Sequence, residues 1–362
     1  MRALSVSDHL DGQLRRLCAV LGLDPAAPAE LLTALLGGYG ARPLSEPPGW
    51  PCNVADDHSP VEFSIAYHDA EPAALRILAE VPGSPPGIRT NMAAAFASLE
   101  AAASRYGLST RRLAAVRDVF EAEQPQGQFA LWCSLVFRSG RQPEFKVYLN
   151  PEVHGVRHAP ALVAESLRRL GLAEAYAAMM EHAVRPGELG GLDRLSFFAL
   201  DLDDGPQARV KLYLTHEQAR TRDVARAAGV VDGVDPAAVA EFCASIGHTA
   251  RFDSLPLVGS YTLAEGAGRP VGYSIYVPVR GYVGDDEQAR DRVRAVLAKH
   301  RFDVALLDRA IGAVTRRSLA DGVGLIAHAS LRLGPPRPGV TVYLSAEAYA
   351  VAAPRPLPLS AA

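Results

Sequence analysis

With 362 residues, 49% hydrophobic and 21% charged, the chain has the composition of a globular protein large enough to bury a sizeable core. A formal net charge of -3 gives no electrostatic case for nucleic acid or an anionic membrane, and no apolar run approaches the roughly 18 residues of a bilayer span. Cys18, Cys52, Cys133 and Cys243 are scattered without a CxxC pair, so neither a zinc site nor a disulfide framework is indicated, and a reduced cytoplasmic protein is expected.

The N-terminal stretch carries Asp8, Asp11, Arg15 and Arg16 at helical spacing rather than a signal-peptide core. It predicts helices over about 7–22 and 27–38, the second opened by Pro28 and closed by Gly37-Gly38. A Pro-rich loop carrying Trp50 leads to the alternating stretch Val61 to Tyr67 and its partner around Leu75 to Val81. The same order then repeats. Helices are predicted over about 91–105 and 110–121, 159–171 and 173–183, 216–228 and 235–246, and 286–299 and 303–314. Each pair precedes a hairpin: Gly127–Phe137 with Glu144–Leu149, Asp193–Leu202 with Ala208–Leu214, Leu255–Leu263 with Val271–Val279, and Val323–Leu333 with Gly339–Leu344.

Hairpins spaced by roughly 65 residues make five helix-helix-strand-strand units. We expect one domain over 1–362, with repeats at about 1–82, 83–150, 151–215, 216–280 and 281–350 and a short tail at 351–362. Ten antiparallel strands need their edges removed, and closure into a barrel with helices outside removes them. The expected class is therefore α+β, a ten-stranded antiparallel barrel with a solvent-filled lumen ringed by helices. The alternative is an open sheet covered by helices on one face.

The strand phrase Lys146-Val147-Tyr148-Leu149 recurs as Lys211-Leu212-Tyr213-Leu214, Ser274-Ile275-Tyr276-Val277 and Thr341-Val342-Tyr343-Leu344, with Arg76-Ile77-Leu78-Ala79 as a degenerate first copy. Alternation puts the cations, hydroxyls and tyrosines on one face and the aliphatic residues on the other. Only three of the 37 basic residues are lysines, and two of those, Lys146 and Lys211, hold the same place in the phrase. Arg76, Lys146, Arg209 and Lys211, with Arg332 as a fifth, would project into the lumen, with only Glu62 clearly standing against them. Like charges gathered in a cavity call for an anion such as diphosphate, unless they are strand-end charges reaching solvent. Tyr148, Tyr213, Tyr276 and Tyr343, two residues further along, would form a ring of π faces able to shelter a cation, each contributing roughly 0.5–2 kcal/mol. Asp56-Asp57, Asp203-Asp204 and Asp285-Asp286 lack DDxxD spacing, so no metal or other cofactor is expected and the basic residues would do the neutralising.

The fivefold unit, the phrases Lys146-Val-Tyr148 and Arg209-Val-Lys211-Leu-Tyr213, and Ser59-Pro60-Val61-Glu62-Phe63-Ser64 resemble the indole prenyltransferases of the dimethylallyltryptophan synthase type. Those enzymes have the prenyltransferase-barrel (ABBA) fold. The resemblance runs from about residue 8 to 350, and the modest length suits the bacterial branch. It implies metal-independent transfer from dimethylallyl diphosphate, or its geranyl homologue, to tryptophan or a tryptophan-derived indole. It implies that Glu62 accepts the indole N–H, that Arg76, Lys146, Arg209, Lys211 and Arg332 bind diphosphate, and that the four tyrosines shield the allyl cation. Ser274 stands where fungal members carry Gln. Trp132 is a candidate wall of the aromatic pocket, and Arg194 a candidate for a substrate carboxylate. Two other readings stay open: prenylation of a phenolic or polyketide aromatic, and a barrel that binds isoprenoid diphosphates without catalysis.

Overall fold

The computed structural model describes residues 3–69, 71–205, 208–334 and 338–356. The Pro-rich turn expected after Leu333 falls at 335–337, and the end of the expected tail at 357–362. Both lie outside the described residues.

Ten strands form the barrel: β1 (Val61–His68), β2 (Ala74–Glu80), β3 (Leu131–Phe137), β4 (Glu144–Leu149), β5 (Asp193–Asp201), β6 (Val210–His216), β7 (Leu257–Leu263), β8 (Gly272–Val277), β9 (Ile326–Leu333) and β10 (Gly339–Ser345). Each pairs antiparallel with the next, and β10 returns to β1 with Glu62 opposite Ser345 and His68 opposite Gly339. The sheet is closed, as the alternating pattern leads one to expect.

Helix pairs precede the hairpins: α1 (Val6–Leu21) and α2 (Ala26–Leu36), α3 (Ile88–Tyr106) and α4 (Arg111–Phe120), α5 (Ala159–Arg169) and α6 (Ala173–Ala183), α7 (Thr221–Ala228) and α8 (Pro236–Gly247), and α9 (Asp286–Lys299) and α10 (Val304–Val314). The core lies between barrel and helices. Ile65, Ile77, Val147, Leu212, Ile275 and Val342 point outward and are fully buried against residues such as Leu10, Leu14, Leu167 and Leu297. Each such side chain contributes about 1.5–3 kcal/mol, so the aliphatic face anchors the sheet and leaves the inner face free for polar residues. Helix α1 packs on α10, joining the first and last units. Gln13 on α1 fastens that seam by donating to Val314 O (3.0 Å) and Ala346 O (2.8 Å).

One helix starts later than its periodicity suggests. The expected span 216–228 begins at Thr221, because His216 still belongs to β6 and Ala219–Arg220 pair with Arg251–Phe252. The buried His216 Nδ1 sits 2.8 Å from Asp193 Oδ1, which also accepts from Arg185 Nε at 2.9 Å, and this pins the strand end. The strands expected from Gly127 and Leu255 begin at Leu131 and Leu257.

Candidate active site

The last residues of β1, β3, β5, β7 and β9 and the first residues of β2, β4, β6, β8 and β10 all lie at one end of the barrel, and the inward side chains there form its basic layer. A cavity of about 940 Å³ opens there, lined by Arg76, Lys146, Lys211, Ser274 and Arg332 from five strands and by Arg209 immediately before β6. The structure thus brings together every residue expected to face a diphosphate. Lys211 has no acidic partner within ion-pair distance among the described residues. Burial, then Lys146, Arg209 and Arg76, pull its ammonium well below the usual lysine range, and only Asp201 opposes them. Burial, then Arg76, Arg209 and Arg138, likewise lower the Arg332 guanidinium.

The expectation that only Glu62 opposes these charges is corrected by Asp201. It sits inside the cluster, 2.7 Å from Lys146 Nζ and 3.0 Å from Arg209 Nε. Although burial works against its charge, Lys146 and Arg209 hold its carboxyl far below the usual range. Lys146 pairs across the ladder with Asp201, a register between neighbouring units that the repeat does not disclose. Asp201 alone cannot balance Arg76, Lys146, Arg209 and Lys211. At an effective dielectric of about 20, each pair of like charges 4 Å apart costs about 4 kcal/mol. A diphosphate, with several negative charges and many acceptor oxygens, can balance them. At the rim, Arg138 and Arg141 are already held by Glu71, and Arg138 also by Glu144.

One layer deeper lie the four tyrosines. Successive ring centroids are 5.7 Å apart for Tyr148–Tyr213, 5.6 Å for Tyr213–Tyr276 and 5.9 Å for Tyr276–Tyr343, so the rings form an unbroken arc. Burial drives the phenols of Tyr148, Tyr213 and Tyr343 far above their ordinary titration range. They are neutral, offering π faces to a cation without a phenolate to attack it. In the first unit the equivalent position is Leu78, which packs with Trp132, Phe129, Cys52 and Val54.

Beyond the tyrosines lies Glu62, 6% exposed. No hydrogen bond to its carboxyl exists among the described residues. Burial pushes it up to about 8; Arg280 opposes that rise and Asp56 adds to it. Arg280 is anchored by Asp56, by Ala327 O at 3.0 Å and by the His328 ring at 3.1 Å, so it is not free to close an ion pair with Glu62. A carboxyl left buried and unbonded has its full acceptor capacity to offer a ligand N–H.

Beside it is an aromatic wall. Trp132 faces the lumen opposite Tyr148, stacks on Phe129 at 4.2 Å and lies 5.4 Å from Phe197. Phe197 was not singled out from the sequence, although it follows Asp201 and Ala199 on the inward row of β5, where it pairs with Tyr213 and lies edge-on to it at 5.6 Å. The loop carrying Trp50 closes this end, where Trp50 Nε1 donates to Glu80 Oε2 (3.1 Å) and Asn91 Nδ2 to Glu80 Oε1 (3.0 Å). Arg194 is at the rim of the same end, half exposed, with Nε and Nη2 2.8 and 2.6 Å from the two Glu152 oxygens. It lies outside the basic cavity and its charge is already met. Among the described residues, no three His, Cys, Asp or Glu side chains gather to hold a metal, and no helix is long and apolar enough to cross a membrane.

The model of the family described as tryptophan dimethylallyltransferase matches residues 29–307. The crystal structure of 6-dimethylallyltryptophan synthase from Micromonospora olivasterospora, in complex with DMASPP and Trp, is 66% identical over 97% of this chain and 100% of its own, with a TM-score of 0.95. The prenyltransferase PriB, in ternary complex with L-tryptophan and dimethylallyl thiolodiphosphate, is 39% identical over 98% of this chain and 100% of its own, with a TM-score of 0.90. The 5-dimethylallyl tryptophan synthase from Streptomyces coelicolor, in complex with DMASPP and Trp, is 36% identical over 100% of both chains, with a TM-score of 0.89.

Proposed function

The chain belongs to the tryptophan dimethylallyltransferase family, and from that premise we propose that it moves the dimethylallyl group of dimethylallyl diphosphate onto carbon 6 of the L-tryptophan indole. The observation that carries the reading is the order of layers along one lumen: cations at the turn end, a tyrosine arc below them, and an unbonded buried carboxyl below that. The choice of carbon 6 rests on the 66% identical relative named for that position.

The reaction follows the layers. The C1–O bond of the donor breaks heterolytically, and its electron pair leaves with the diphosphate toward Arg76, Lys146, Arg209, Lys211 and Arg332. The Ser274 hydroxyl, 4% exposed on the same row, supplies a neutral donor. Fixed cations in a partly dry site stabilise the departing charge without the reorganisation that water requires, and they take the electrostatic part that a metal plays elsewhere. We therefore propose metal-independent turnover. The allyl cation left behind sits against Tyr148, Tyr213, Tyr276 and Tyr343, which keep water from capturing it. The indole, with Trp132 as a wall and its N–H on Glu62, attacks C1 from a ring carbon. The released diphosphate or a water then takes the proton from that carbon, and aromaticity is restored.

The test is incubation with dimethylallyl diphosphate and L-tryptophan in excess EDTA, with the product read by mass and NMR. A singly prenylated tryptophan substituted at carbon 6 is expected. Substitution at another ring atom refutes the regiochemistry, and turnover that stops with EDTA refutes the role given to the basic layer.

A further inference from the structure

The inward row of β1 runs Glu62, Ser64, Ala66, His68, so His68 stands at the cationic end and lines the cavity there. Its Nδ1 lies 3.4 Å from Arg332 Nη2. A guanidinium only donates, so Nδ1 accepts and the ring is neutral with its proton on Nε2. That Nε2–H is enclosed and meets no acceptor, and the enclosed Nε–H of Arg76 on the neighbouring strand meets none either. Enclosed donors without acceptors are rare in folded proteins, and two on neighbouring strands of one cavity lining leave acceptor positions for an anion to fill. Gly339, opposite His68 on β10, leaves the room this arrangement needs: a Cβ there would lie 3.3 Å from His68 Nδ1 and 3.4 Å from Arg332 Nη2.

The charged groups facing the imidazole are Arg76 from β2, Arg332 from β9 and Arg138 after β3, opposed by Glu71 from the β1–β2 turn. Burial, then those three arginines, push the ring down to about 4. Among permanent cations, a histidine is the group that can add positive charge only when an anion has arrived.

We infer that His68 contacts the diphosphate and takes up one proton from solvent as that anion enters. The inference rests on the reading of the basic layer as a diphosphate site. The sign follows from linkage. The ring binds its proton more tightly in the complex, so uptake occurs between the free value near 4 and the higher bound value. Affinity is greatest at low pH and is lost as pH rises through the bound value.

The experiment is calorimetric titration with inorganic diphosphate at pH 7 in buffers of different ionisation enthalpy, using the full chain and His68→Gln. Glutamine keeps a donor but cannot titrate. The wild type should take up close to one proton more per diphosphate than the variant, and bind about tenfold more tightly. That advantage should shrink as pH rises. Equal proton counts overturn the assignment of His68 while leaving the diphosphate site intact. Absence of binding in both proteins overturns the site itself. If His68→Gln does not fold, imidazole NMR of the wild type decides the matter, because a histidine titration unmoved by diphosphate overturns the inference.

Discussion

Replacing Glu62 with Gln should make the protein more stable and less active, and the first effect can be worked from its burial. The folded carboxyl titrates at about 8, against 4.5 for the free group. At pH 7 the unfolded chain carries the carboxylate while the folded chain carries the acid, a mismatch of about 2.5 units, or about 3 kcal/mol against the fold. Because the folded value is the higher one, this cost is absent below about pH 4, grows as pH rises, and levels off above about 8. Glutamine has nothing to titrate. Glu62→Gln should therefore unfold about 4 °C higher at pH 7, and less than about 1 kcal/mol should separate the two proteins at pH 5. Above about pH 8, where the wild-type carboxyl is ionised, turnover of the variant should be about 10- to 100-fold lower, since a charged acceptor is exchanged for a neutral one at the indole N–H. The wild-type kcat/KM for tryptophan should climb toward pH 8 as the free carboxyl ionises, and the variant should lack that limb. Thermal scans and initial rates across pH 5 to 8.5 supply both readouts. Melting curves that shift in parallel for the two proteins would refute the desolvation argument, and a variant that keeps most of its turnover would remove Glu62 from the substrate.

Lys211→Met should raise the KM for dimethylallyl diphosphate about 10- to 100-fold and lower kcat with it, because a charge-assisted contact to the leaving group is lost; steady-state kinetics on the donor checks this. Tyr213→Phe keeps the π face and should cost little, whereas Tyr213→Leu should lose about 0.5–2 kcal/mol of barrier lowering and divert donor to dimethylallyl alcohol, measured as the ratio of alcohol to prenylated product. Asp201→Asn strips Lys146 and Arg209 of their buried counter-ion and should cost about 3–5 kcal/mol at pH 7 in the empty protein. Added diphosphate should recover more melting temperature in this variant than in wild type.

The alternation of the strand phrase made the barrel, its polar interior and its aliphatic exterior legible before any coordinate. A two-residue period leaves no other face for Lys146 and Tyr148 once Val147 and Leu149 are buried. What stayed hidden depends on relations between units. Asp201 meets Lys146 only through the register of β4 against β5, and no turn joins those strands to set it. Phe197 lies on the inward row of β5 with Ala199 and Asp201, but on the strand of the hairpin that does not carry the repeated phrase. The Trp50–Glu80–Asn91 contacts join a loop, a strand and a helix that no periodic signal links. His68 was within reach, since the row that begins at Glu62 arrives there in three steps.

The pairing of β1 with β10 sets a timetable for biosynthesis. Glu62 and Ser345 are neighbours in the ladder yet roughly 280 residues apart along the polypeptide. At about 5–20 residues per second, the nascent strand leaves the ribosome on the order of tens of seconds before its partner exists. Throughout that interval one edge of the growing sheet is open to pairing with other chains, a hazard that ends only when the last hairpin arrives.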